Sequence, residues 1–141
     1  MLTLTNQAKE RKVKILIADD DEMILHVLER IIEHQLPGVK VFARQVHCAN
    51  DAVESISDLQ PDIVLLDHSY DSSSTNGIDV IRNIKKKGLA KKIKKIISIT
   101  SDETVVDEYR QLGIERINKV DFNTIVEKIK NFINDCIELI S

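Results

Sequence analysis

Polar residues that could carry out chemistry follow several short apolar runs in this sequence. Asp19 and Asp20 end the first run, Asp67 ends a later one, Thr100 ends another, and Lys119 follows the last. Carboxylates held close together repel one another and raise their own pKa values unless a cation lies among them. If these residues meet, they offer a carboxylate nucleophile, oxygen ligands for a divalent cation and an ammonium for an anionic group. That combination is suited to phosphoryl transfer, and a carboxylate nucleophile needs no separate general base.

The apolar runs alternate with segments of helical periodicity. Strands are predicted at residues 13–18, 39–46, 62–67, 94–100 and 114–118. Helices are predicted at Glu22–Gln35 and at residues 51–59, 77–87, 102–112 and 121–140. Five strand and helix pairs in succession are typical of a parallel sheet covered by helices on both faces. The run at 39–46 alternates between apolar and polar residues, which indicates an edge strand.

The carboxyl ends of parallel strands share one edge of the sheet, and doubly wound folds bind their ligands there. We therefore expect the polar residues to meet at this edge. Mg²⁺ prefers oxygen ligands and takes one or two carboxylates together with water or substrate phosphate. The predicted cofactor is therefore Mg²⁺, or Mn²⁺ in its place, lying among the carboxylates of Asp19, Asp20 and Asp67. Lys119 would neutralise a phosphoryl oxygen, and Thr100 would donate a hydrogen bond to it.

The sequence resembles bacterial two-component response-regulator receiver domains over about residues 13–134. The matching segments are ILIADDDE, PDIVLLD, IISITSDE and IERINK, in this order. The resemblance implies an α/β, flavodoxin-like fold, a doubly wound five-stranded parallel sheet of order 2-1-3-4-5 with five helices. It also implies a stand-alone regulator similar in plan to the chemotaxis regulators. The predicted organisation is a polar tail at residues 1–12 and one receiver domain at 13–141 that ends in a long helix.

The same resemblance implies roles for the acidic residues. Asp67 would become an aspartyl phosphate. Asp20 would bind Mg²⁺ directly and Asp19 partly through water, while the backbone carbonyl of Ser69 would complete the protein ligands. Ser69 also matches a position that, in this family, tunes how fast the phosphoryl group is lost.

Residues around the other strand ends receive roles as well. Thr100 would swing toward the phosphoryl group, Lys119 would pair with it, and Asp102 matches a second tuning position. The backbone N–H groups of His68 and Ser101 are predicted to contact phosphoryl oxygens. The side chain of His68 receives no task.

The sequence departs from the family pattern in four places. The loop between residues 67 and 77 is longer than usual, and the interval between 100 and 119 is shorter, which implies a trimmed fourth helix. Val120 follows the lysine where proline is usual, so the cis peptide familiar in this family is not expected. Arg116 stands where the family usually has a switch aromatic. Output is therefore expected through Arg116, through Tyr109, or through backbone motion alone.

The predicted phosphodonor is a phosphohistidine on a sensor histidine kinase or a histidine phosphotransfer protein. Phosphorylation adds about −1.5 to −2 charges and is expected to shift the face formed by the fourth helix, fifth strand and fifth helix. Because no further domain follows in this sequence, the expected output is a contact with a downstream protein target or onward phosphotransfer. The chain is not expected to be an enzyme beyond promoting its own phosphorylation and dephosphorylation. The long apolar stripe of the last helix predicts either a buried helix or a homodimer surface.

The composition of the chain indicates which broad class of protein it belongs to. The chain of 141 residues fits one domain, and 43% apolar and 30% charged residues are ordinary for a globular protein. Two distant cysteines and the lack of a signal peptide or membrane-length apolar run predict a soluble, cytoplasmic protein without membrane contact. The net charge of −3 argues against nucleic acid as a partner. The Lys-rich stretch at 85–95 is predicted to be a solvated connector.

Two alternatives remain open at this point. A small haloacid-dehalogenase-type phosphatase would use Asp19 as nucleophile and Asp21 as acid/base, although no second acidic pair follows Lys119 at a strand end. A receiver-like scaffold that is never phosphorylated would only bind a partner. A simpler role also exists for Asp20 or Asp21, because acidic residues after a strand often cap the next helix.

Overall fold

A computed structural model describes residues 12–70 and 73–140, apart from the side chains of residues 137–140. The predicted tail lies outside the described residues except for Lys12, as do two positions of the long loop. The strands are β1 (Val13–Asp19), β2 (Val39–Gln45), β3 (Ile63–Leu66), β4 (Lys95–Ser98) and β5 (Glu115–Arg116). The helices are α1 (Glu22–Gln35), α2 (Ala49–Leu59), α3 (Gly77–Lys86), α4 (Val106–Gln111) and α5 (Phe122–Ile140). Short 3₁₀ turns lie at Ala90–Lys92 and Glu103–Val105.

All five strands belong to one parallel sheet of order β2-β1-β3-β4-β5, which confirms the predicted fold class and the edge position of β2. The interior strand β1 pairs with β2 on one side and with β3, the central strand, on the other. The chain winds outward in opposite directions from these two strands. The winding direction changes between β1 and β3, and this fold class binds its ligands at the carboxyl ends of the strands at such a point.

The core lies on both faces of the sheet because side chains alternate along each strand. Ile15 and Ile17 of β1 pack with α1 and α5, whereas Leu16 and Ala18 pack with α2, α3 and α4. A strand covered on both faces needs apolar residues at every position, which explains the continuous apolar runs of β1 and β3.

Four of the five predicted strands are longer than those observed, and β1 alone extends one residue further, to Asp19. β4 ends at Ser98, although the N–H of Ile99 still donates to the carbonyl of Leu66 at 2.9 Å, and β5 is only two residues long. Apolar character reports burial, and burial continues beyond the last regular pairing. Helix α2 begins at Ala49, two residues before the prediction, because its start has no capping side chain to mark it in the sequence.

The predicted helix at 102–112 is wrong in its first half. Its beginning is the 3₁₀ turn, which Asp102 caps by accepting a hydrogen bond from the N–H of Thr104 at 2.9 Å. The α-helical part, α4, has six residues, which confirms the trimmed fourth helix. Gly113, with φ of +76°, follows it in the left-handed region. The described residues contain no cis peptide bond, as expected from Val120.

None of the helices among the described residues combines the length and apolar character that a membrane span requires.

Replacing Ile129 with alanine is expected to lower the free energy of unfolding by about 2 to 5 kcal/mol. Ile129 is fully buried where α5 packs on the sheet and α1. Urea unfolding followed by circular dichroism measures the change. The exposed neighbour Lys130→Ala serves as control and should stay within about 0.5 kcal/mol of the parent. Equal midpoints for both variants would contradict this account of the core.

Candidate functional site

The register of β1 and β3 places two carboxylates side by side. Ala18 pairs with Leu66, and the N–H of Asp67 donates to the carbonyl of Ala18 at 3.0 Å. Asp19 follows Ala18 in the sequence, and Asp67 follows Leu66. Both are buried, with 0% and 3% of their surface exposed. Asp19 and Asp67 therefore lie next to each other at the carboxyl edge of the sheet, as predicted.

Asp20 joins them to form a cluster of three carboxylates. One oxygen from each of Asp19, Asp20 and Asp67 can be chosen so that all three lie within 4.8 Å of one another. Asp19 Oδ1 accepts a hydrogen bond from the N–H of Asp21 at 2.8 Å, while the buried Oδ2 accepts none from the described residues. A donor set made only of carboxylate oxygens fits a hard divalent cation such as Mg²⁺. Asp19, Asp20 and Asp67 are the side chains that would hold it.

Lys119 supplies the positive charge of the site. Its Nζ lies 3.5 Å from Asp19 Oδ2 and 3.5 Å from Asp67 Oδ2, and 18% of the side chain is exposed. The N–H of Ile117 donates to the carbonyl of Ser98 at 2.8 Å and so holds the chain beside β4 just before Lys119. The Lys119 ammonium therefore reaches the carboxylates from the edge of the sheet that β5 forms.

Burial and the charge of Asp67 raise the pKa of Asp19 to about 7, against the lowering effects of the Asp21 N–H and Lys119. Burial likewise raises the pKa of Asp67, opposed first by Lys119 and then by the N–H of His68. Burial alone would lower the pKa of Lys119, but the charges of Asp67 and Asp19 outweigh it and leave that pKa raised. The ammonium therefore favours the ionised carboxylates that cation binding requires.

Thr100 is buried just beyond β4, and its surroundings link β4 to β5. Its Oγ1 accepts a hydrogen bond from the N–H of Asp102 at 3.0 Å, and its carbonyl accepts one from Arg116 Nε at 2.9 Å. Hydrogen bonds from the Thr104 hydroxyl and then its N–H lower the pKa of Asp102. Arg116 thus braces the strand end that carries Thr100. The switch roles proposed for Thr100 and Arg116 stay predictions.

Other predicted site residues lie beside the cluster. Asp21 is the N-cap of α1, where its Oδ1 accepts hydrogen bonds from the N–H groups of Met23 and Ile24. Ser69 and Ser101 are exposed at the ends of two strands, and Ser69 forms an isolated bridge to Asn76 that brings the two ends of the long loop together. Their predicted contacts, a carbonyl ligand and a phosphoryl-binding N–H, stay predictions.

Sequence reasoning missed the side chains beneath the cluster. The imidazole of His68 is buried, and a 2.7 Å hydrogen bond joins its Nδ1 to the hydroxyl of Tyr109. The hydroxyl of Tyr70 donates to the carbonyl of Asp67 at 2.9 Å. Strand alternation could have indicated that His68 points away from Asp67, toward the opposite face. It could not have named its partner.

The chain matches the family of response regulator receiver domains over residues 15–130, and it belongs to this family. It is 26% identical over 129 residues to the transcriptional regulatory protein DegU of Brevibacillus brevis, covering 90% of this chain and 52% of DegU. The chain therefore spans about half the length of this curated relative. The resemblance to receiver domains of two-component signalling is confirmed, whereas the stand-alone plan stays a prediction.

Solved structures share the fold. A DNA-binding response regulator of the LuxR family from Staphylococcus aureus has a TM-score of 0.70 at 22% identity, covering 85% of this chain and 98% of that one. The response regulator TrrA from Thermotoga maritima, in complex with Mg²⁺-BeF, has a TM-score of 0.68 at 24% identity, with coverage of 85% and 98%. Because relatives are named as transcriptional or DNA-binding regulators, the predicted exclusion of nucleic acid is not confirmed.

The affinity for Mg²⁺ is expected to fall about tenfold between pH 8 and pH 6. The raised pKa of Asp19, about 7, means that this carboxyl is mostly ionised at pH 8 and mostly protonated at pH 6, so the cation must displace a proton at the lower pH. Isothermal titration calorimetry at both values measures the change.

Asp21→Ala is the matched control for this titration. It removes the cap of α1 and should cost about 1 kcal/mol of stability, yet it should bind Mg²⁺ with the parent's pH dependence, because Asp21 lies outside the carboxylate cluster. A constant affinity across this pH range, or loss of binding in the control, would contradict the assignment of ligands.

Proposed function

We propose that this receiver domain accepts a phosphoryl group on Asp67 from a phosphohistidine of a sensor histidine kinase or histidine phosphotransfer protein. The observation that carries the proposal is the position of Lys119, whose Nζ lies 3.5 Å from a carboxylate oxygen of both Asp19 and Asp67. A nucleophilic carboxylate beside an ammonium and two further carboxylates is the arrangement that phosphoryl transfer needs. Membership of the receiver family supports the same assignment.

In the transfer, an oxygen of Asp67 forms a bond to phosphorus while the phosphorus–nitrogen bond of the donor breaks. The electron pair of that bond stays on the donor imidazole. Asp67 loses no proton, and Lys119 is placed to pair with an oxygen of the incoming group. The N–H of His68, which donates to Asp67 Oδ1 at 2.8 Å, is placed to stabilise another.

A divalent cation held by Asp19, Asp20 and Asp67 would supply further positive charge to the phosphoryl oxygens. Mg²⁺ is the proposed ion, with Mn²⁺ as a substitute. The donor set supports this choice because all of its atoms are carboxylate oxygens. The complex of TrrA with Mg²⁺-BeF supports it as well.

The proposed output is a contact with a downstream protein. Phosphorylation brings about −1.5 to −2 charges to a place that already holds three carboxylates. Lys119 then has a stronger partner than Asp19, and the population shifts toward conformations that fit the new charge. Lys119 lies three residues beyond the end of β5, so we place the responding surface on α4, β5 and α5. We also propose α5 as the surface through which a homodimer would form.

Two alternatives receive less support from the geometry. The phosphatase hypothesis needs Asp21 as its acid/base, but Asp21 accepts two backbone hydrogen bonds as the cap of α1. The scaffold hypothesis leaves the carboxylate cluster and Lys119 without a task. We therefore propose a phosphoacceptor and not a turnover enzyme. Sustained hydrolysis of p-nitrophenyl phosphate would instead favour the phosphatase.

Incubation with acetyl phosphate and Mg²⁺ is expected to add one phosphoryl group to the chain, and Asp67→Asn should abolish the addition. Intact-protein mass spectrometry measures both results. Asp58→Asn on the exposed surface of α2 makes the same chemical change away from the site and should be labelled as the parent is. Equal labelling of Asp67→Asn and the parent would refute the assignment of the phosphoacceptor.

A further inference from the structure

His68 is held through three separate groups. Its N–H donates to Asp67 Oδ1 at 2.8 Å, its carbonyl accepts from the N–H of Gly77 at 2.9 Å, and its Nδ1 is joined to the Tyr109 hydroxyl at 2.7 Å. Gly77 is the first residue of α3, and Tyr109 belongs to α4. His68 therefore connects the proposed phosphoacceptor with the start of α3 and with the interior of α4.

Strand alternation explains why His68 reaches α4. Its neighbour Asp67 points into the carboxylate cluster, so the imidazole of His68 extends toward the face covered by α2, α3 and α4. The two rings meet edge to face, with centroids 5.5 Å apart and planes at 81°. His68 is 8% exposed and Tyr109 is not exposed. Because both side chains are buried, their hydrogen bond is costly to break.

Gly77 provides the space for this contact. A Cβ added there would overlap the Tyr109 hydroxyl and would lie 2.9 Å from the carbonyl oxygen of Asp67 and 3.2 Å from the Cα of His68. Helix α3 therefore begins with the one residue type that lets the Tyr109 hydroxyl approach the backbone at the end of β3. The start of α3 and the His68–Tyr109 pair form a closely fitted unit.

The strand β5 offers no comparable ring near the site. Arg116 occupies β5 there, and its Nε donates to the carbonyl of Thr100. Among the described residues, two aromatic side chains hydrogen-bond next to the phosphoacceptor: Tyr109, from α4, to the His68 imidazole, and Tyr70, from the long loop, to the Asp67 carbonyl. Of these two, Tyr109 belongs to a helix of the proposed output surface.

We propose that the hydrogen bond between His68 and Tyr109 couples the phosphorylation of Asp67 to the position of α4. The proposal rests on the function proposed above. The His68 N–H exchanges Asp67 Oδ1 for a phosphoryl oxygen, the peptide between residues 67 and 68 turns, and the imidazole moves the Tyr109 hydroxyl. Helix α4 has six residues and follows a 3₁₀ turn, so few internal hydrogen bonds resist its displacement. His68 and Tyr109 act as positioning residues.

The test compares hydrogen exchange of α4 amides with and without beryllofluoride and Mg²⁺, together with phosphorylation by acetyl phosphate. In the parent, beryllofluoride should change exchange in α4 by about fivefold or more, the scale of one hydrogen bond. Tyr109→Phe keeps the ring and removes the hydroxyl. It should still be phosphorylated on Asp67, but its α4 exchange should no longer respond.

Tyr70→Phe is the matched control because it also removes one buried hydroxyl next to Asp67, but from a residue outside α4. Its α4 should respond as in the parent. Histidine variants give a second check. The side-chain amide of His68→Asn can occupy the position of Nδ1 and should keep the response, whereas His68→Leu should lose it.

The outcomes separate the two proposals. A parent chain that takes up no phosphoryl group refutes the proposed function and the coupling with it. A phosphorylated Tyr109→Phe variant whose α4 responds as in the parent overturns the coupling alone. Loss of the response in Tyr109→Phe and His68→Leu, with retention in Tyr70→Phe and His68→Asn, supports the coupling through the hydrogen bond.

Discussion

The ion pairs of Lys119 are the interaction on which the site depends. Asp19 and Asp67 are almost completely buried next to each other, and burial alone favours their neutral forms. Removing the ammonium would leave two buried carboxylates without a cation, which is strongly destabilising for their charged state. The pairs also connect opposite parts of the sheet, because β1 and β3 carry the carboxylates while Lys119 follows the edge strand β5. A change of charge at the carboxylates therefore alters the ion pairs of a residue next to that edge strand.

The two faces of the sheet have different tasks at this position. Asp67 points into the charged cluster, and His68, one residue later, points into an apolar layer that contains Tyr109 and Tyr70. Neighbouring residues of an extended chain point to opposite faces, which is consistent with this division just after the end of β3. Chemistry and coupling can consequently be altered by separate substitutions at neighbouring residues. Arg116, which braces the end of β4 through the carbonyl of Thr100, belongs to neither layer.

Much of the fold was predictable because a parallel sheet covered on both faces requires continuous apolar strands, and β1 and β3 follow that rule. The strand order came from the resemblance to receiver domains and not from periodicity. Errors occurred where local patterns are weak. The start of α2 has no capping side chain, and the turn before α4 has a helical composition but 3₁₀ geometry. Apolar residues at the end of β4 indicated burial and were mistaken for continued pairing.

By itself, the sequence determined the fold class and the candidates Asp19, Asp20, Asp67 and Lys119, because residues at the carboxyl ends of parallel strands must share one edge. Only the tertiary structure decided which acidic residue has which surroundings: Asp20 joins the cluster, and Asp21 caps α1. It also decided the partner of His68, which lies 41 residues away on α4. That choice depends on how a helix packs across the sheet, and no local spacing in the sequence records it.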